Sequence, residues 1–74
     1  MARLIRLDRS GHTTLAEWGS GDRTATERAV AAFRRELDAG MIASVQRGEG
    51  TAEVVRDLPL DADLVVMRRP IAGG

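Results

Sequence analysis

Leu64-Val65-Val66-Met67 is a run of four large apolar side chains, and what lies on either side of it decides how the chain folds. A short, continuous apolar run predicts an interior strand covered on at least one face. It is far shorter than the roughly 20 residues of a membrane span. Before it, Leu60-Asp61-Ala62-Asp63 reads as a polar-edged turn, because Asp side chains bond the nearby backbone. After it come Arg68, Arg69 and Pro70. Pro70 has no amide hydrogen, so it should stop the strand's ladder and launch Ile71, Ala72, Gly73 and Gly74 away from the body.

Working back along the chain, Ala52 to Leu58 and Met41 to Arg47 each show a period of two, with Gly48-Glu49-Gly50 between them as a turn. In the second of these, Met41, Ala43 and Val45 share one face. Gly40 is placed to end a helix at its C′ position. Ala29, Val30, Phe33 and Leu37 recur at helical spacing before it. Thr24-Ala25-Thr26-Glu27 fits a capping box and predicts the helix start. Gly19 to Asp22 breaks the pattern between this helix and an N-terminal hairpin, in which Arg3 to Leu7 and His12 to Trp18 are strands joined by Asp8-Arg9-Ser10-Gly11.

The order is therefore β-β-α-β-β-β. One helix covers one face of a sheet, so a two-layer α+β sandwich is expected, with a mixed sheet and the helix across one face. A right-handed crossover should place the last strand beside the first, which is the topology of a β-grasp. Residues 1–69 are expected to form this domain and residues 70–74 a flexible tail. Ile5, Leu7, Ala43 and Val45 are assigned to the core. Leu4 and Ile42 have the opposite parity and should lie on the open sheet face, with Arg6 and Ser44 at the rim.

The 74 residues include 11 Arg, no Lys, 11 acidic residues and no Cys, for a net charge of zero. Zero net charge with dispersed Arg argues against nucleic acid as a partner. Without Cys, neither a disulfide nor a Cys-based metal site can reinforce so small a core. Arg3, Arg6, Asp8 and Arg9 interrupt any signal-peptide core, so a cytoplasmic protein is expected, with no membrane partner. His12 has no second His, Cys or Ser partner that would make a nucleophilic or zinc constellation. Asp61 and Asp63 read as turn formers and not as metal ligands. No catalytic residues, metal or cofactor are expected, and the chain reads as a non-enzyme.

From Leu58 to Gly74 the sequence resembles ubiquitin and its bacterial relatives, the sulfur-carrier proteins of thiamine and molybdopterin biosynthesis. The shared features are the acidic turn Asp61-Ala62-Asp63, the apolar strand, Pro70 and the diglycine Gly73-Gly74. Arg68-Arg69 looks more like the basic approach to ubiquitin's tail. The resemblance implies a protein modifier or sulfur carrier whose Gly74 carboxylate is activated by an E1-like adenylating enzyme, with ATP consumed by that partner. A conjugation target, a sulfur-accepting enzyme or a deconjugating protease would be further partners. Glycine lacks the Cβ that would obstruct entry to a narrow active site, and Arg68 and Arg69 could steer docking to an acidic groove. Without lysine, no side-chain amine of these residues could take a second copy through an isopeptide bond. The alternative is a non-catalytic β-grasp interaction or structural module that works through its open sheet face, with the diglycine incidental.

Overall fold

The computed structural model describes residues 1–46 and 50–70. Its elements in chain order are strands β1 (Ala2–Asp8) and β2 (Gly11–Trp18), helix α1 (Arg23–Asp38), and strands β3 (Ile42–Gln46), β4 (Ala52–Val55) and β5 (Leu64–Arg68). They form an α+β fold in which one helix lies on a five-stranded mixed sheet ordered β2-β1-β5-β3-β4. The β1/β5 pair is parallel, and the β1/β2, β3/β4 and β3/β5 pairs are antiparallel. The apolar run that opens β5 thus occupies the middle of the sheet, as its composition demands.

The first hairpin turns at Arg9-Ser10. The Asp8 carboxylate accepts from both the Ser10 amide (2.9 Å) and the Ser10 hydroxyl (2.6 Å), and Gly11 takes a φ of +117°. Directly opposite residues of an antiparallel pair share a face, so Leu4 and Ala16 face one way and Ile5 and Thr14 the other. Between these pairs the register slips, and Leu15 is the extra residue of a bulge. Leu15 still packs against the core.

Helix α1 starts earlier than the capping box predicts. Asp22 is the N-cap, its side chain accepting from the Ala25 amide at 3.0 Å. The turn that delivers it is closed by the Asp22 amide donating to Gly19 O at 3.2 Å. At the other end the prediction for Gly40 holds. With φ at +94°, the Gly40 amide donates to Leu37 O and the Met41 amide to Glu36 O, the paired bonds that close a helix C-terminus.

The core lies between α1 and the sheet. Ala29, Ala32 and Phe33 descend from the helix onto Leu4, Val65, Met67, Ala43 and Val45, with Val30 and Leu37 half-buried at the edges. Trp18 closes one end, its indole donating to Leu60 O at 3.3 Å. Ala62, on the turn after Pro59, is buried beside it, and the Asp63 carbonyl accepts from the Arg3 amide at 2.9 Å. No helix among the described residues is long and apolar enough to cross a membrane.

The parity of β1 is the reverse of the expectation, and this corrects two site assignments. Leu4 is fully buried under the helix and is not on the open face, whereas Leu7, assigned to the core, is 44% exposed; Ile5 is buried as expected, at 9% exposure, but on the face away from the helix. Arg6 shares Leu4's face and reaches Glu36 of α1 at 3.4 Å, so it does not rim the open face. The parity of β3 is as expected, with Ala43 and Val45 buried and Ile42 and Ser44 opposite.

Candidate functional site

Two surfaces are candidates for a functional site, and β5 leads to both. The first is the end of the sheet where the chain leaves β5. Arg68 is opposite Ile42 in the β3/β5 register, and Arg68, Arg69 and Pro70 are all exposed. Arg69 and Pro70 border a cleft that also contains Arg6, Asp8, Glu36 and Gly40. Ile71, Ala72, Gly73 and Gly74 lie outside the described residues.

Charge at this end is mixed. Its hydrogen bonds from the Ser10 hydroxyl and then the Ser10 amide hold the Asp8 carboxyl below its ordinary value of 3.8, with smaller contributions from Arg6 and Arg69. Glu36 is mostly buried. One of its oxygens meets Arg6 at 3.4 Å, and the other, Oε1, is buried with no hydrogen-bond partner. This carboxylate also sits in the last turns of α1, where the helix dipole is unfavourable to negative charge. Arg6 therefore offsets a charge that neither burial nor the helix favours.

The second surface is the sheet face turned away from α1. Strand alternation and register place Ile5 and Leu7 of β1, Leu64 and Val66 of β5, Ile42 and Ser44 of β3, and Val54 of β4 on it. Leu7, Leu64 and Val54 are 44%, 41% and 63% exposed, so the face is apolar and open. Of the residues expected there, Ile42 is present and Leu4 is not. Leu64, Val66 and Val54 were missed. The signal that could have found them is the alternation inside β5: once Val65 and Met67 face the helix, Leu64 and Val66 must face away.

Among the described residues, neither surface brings together an acid, a base and a nucleophile. His12 is exposed on β2, and among the described residues no group of three His, Cys, Asp or Glu side chains could hold a metal ion. Compared with protein-family models, curated proteins and solved structures, the chain matches none.

Proposed function

We propose that this chain is a β-grasp protein of the ubiquitin-like kind, a carrier or modifier that presents its Gly74 carboxylate to an adenylating enzyme. The observation that carries this reading is the place of β5. It lies in the middle of the sheet, parallel to β1, and its last residues, Arg68, Arg69 and Pro70, are exposed and lead directly to residues 71–74. A tail that leaves from a central strand is anchored by ladders on both sides, so the body is a firm handle for whatever the tail does.

The chemistry follows from the weakness of a carboxylate as an electrophile. One oxygen of the Gly74 carboxylate attacks the α-phosphorus of ATP, pyrophosphate leaves, and an acyl-adenylate remains. A sulfur nucleophile on a partner then attacks the carbonyl carbon and expels AMP, so one hard step becomes two easier ones. Every catalytic group belongs to the partner. This chain contributes a slim peptide and a basic approach, Arg68 and Arg69, that steers encounter with an acidic groove.

Incubation of the full chain with candidate adenylating enzymes and ATP should yield, by intact-mass spectrometry, an adenylate, thioester or thiocarboxylate at Gly74. A chain lacking Gly73-Gly74 should yield none. Failure with every candidate partner overturns the reading.

A second reading is supported by the open apolar face. A non-catalytic β-grasp interaction module would use Ile42, Leu64 and Val66 and have no need of the diglycine. It predicts that removing Gly73-Gly74 leaves cellular function intact while Leu64→Asp abolishes it, and the carrier reading predicts loss in the first case.

A further inference from the structure

The open sheet face carries charge of opposite sign at its two ends. Arg68 stands at the end of β5 and Asp61 and Asp63 stand just before its start, and all three border one shallow depression with Leu64 and Val66 between them and Leu7, one residue past the Arg6/Met67 pair, at the Arg68 end. Arg3 and Glu17, opposite one another on β1 and β2, are also at the acidic end, where their charges offset. At the basic end Arg69 and Arg9 are exposed beside Arg68, and among the described residues that line this region Asp8 is the one acidic side chain.

We propose that this face docks onto a second copy of the same chain. A pair of identical faces meets about a twofold axis lying roughly in the sheet plane, and charge selects between the two directions that axis could take. An axis along the strands would stack Arg68 on Arg68 and Asp63 on Asp63, which like-charge repulsion disfavours. An axis across the strands lays β5 of one copy antiparallel over β5 of the other. Arg68 of each copy then lies over Asp61 and Asp63 of its mate, and the two Val66 side chains meet near the axis. The chain's zero net charge leaves no long-range repulsion between copies to oppose this.

The size of the face sets the strength. Five strands about 4.8 Å apart, each about five residues of about 3.3 Å, cover roughly 400 Å² per copy. A total near 800 Å² falls below the roughly 1,200 Å² at which stable specific interfaces begin and belongs with weak, transient ones. The dimer is therefore weak and concentration-dependent. It rests on the sheet face alone, so its failure leaves the adenylation test untouched, and the reverse also holds.

Sedimentation equilibrium of the full chain from micromolar to millimolar concentration should show the mass rising from one chain toward two, less steeply in high salt. Arg68 is exposed, so Arg68→Asp should leave the circular dichroism unchanged while weakening association about tenfold or more. Adding Asp61→Arg and Asp63→Arg to Arg68→Asp reverses both ends together and should restore the dimer. Leu64→Asp should abolish it. A chain that stays monomeric at millimolar concentration overturns the proposal and leaves the face to a different occupant. A dimer that survives both Leu64→Asp and Arg68→Asp also overturns it, because the two copies then join elsewhere, such as the outer edge of β2.

Discussion

Gly40 and Gly19 separate what a glycine's backbone does from what its missing side chain does. A Cβ added at either would meet nothing within 4 Å, but only Gly40 has a left-handed φ, +94°. Gly40→Ala should therefore cost about 1–2 kcal/mol, the penalty of an L-residue in that region, while Gly19→Ala should be near neutral. Urea titrations followed by the fluorescence of Trp18, the single tryptophan, would give both values. Asp8 makes a different residue-scale prediction. Its carboxyl is held below 3.8 by the Ser10 hydroxyl and amide, so the bonds favour the ionised, folded form. Their stabilisation is fully present above pH 3.8 and is lost as pH falls through the lower folded value. A ¹³C NMR titration should place the Asp8 midpoint below 3.8, and Ser10→Ala should move it back up. An unmoved midpoint in Ser10→Ala would show that the hydroxyl is not the cause.

The helix cap and the first strand are the elements in which local pattern and tertiary structure part company. Thr24 and Glu27 satisfy the capping-box spacing, yet Asp22 caps the helix because the Gly19-to-Asp22 turn ends there, with Gly21 at a φ of +82°. Asp22→Ala should cost about 1 kcal/mol and Thr24→Ala much less, by the same urea titration. Equal costs would restore the capping box. In β1 the pattern Arg3-Leu4-Ile5-Arg6-Leu7 offers two apolar residues on one face and one on the other, and a count favours the wrong face. The helix decides against the count, because Ala2 and Leu4 lie beneath it while Glu36 takes Arg6 at its edge. Leu4→Ala should cost about 2–5 kcal/mol and Leu7→Ala less than about 1 kcal/mol. Arg6→Ala breaks an ion pair whose Arg is 39% and whose Glu is 13% exposed, so its cost should lie between the ~1 kcal/mol of an exposed pair and the ~3–5 kcal/mol of a buried one.

At the scale of the molecule, the apolar run of β5 and the single helical stripe made the layered α+β arrangement readable from sequence. The uncharged four-residue run Leu64 to Met67 that opens β5 favours a central place, and one helix covers one face. The candidate site was less readable. Its strongest signal, Gly73-Gly74, lies outside the described residues, and the open face depends on the parity of β1, which only the helix resolves. Trp18, buried at the end of β2, carries a prediction for the whole fold. A domain of this length has a stability of only about 4–11 kcal/mol, at 0.05–0.15 kcal/mol per residue. Trp18 ties the end of β2 to the turn before β5 through packing and through its 3.3 Å bond to Leu60 O. Trp18→Phe keeps most of the packing and loses the bond, about 1 kcal/mol, which in a domain this small lowers the thermal midpoint by about 4–8 °C. Trp18→Ala loses the packing as well, about 3–5 kcal/mol, and should leave a substantial unfolded fraction at 37 °C. Circular-dichroism melts decide it. A Trp18→Ala variant that melts within a few degrees of the parent would mean that the sheet and helix hold together without that end of the core.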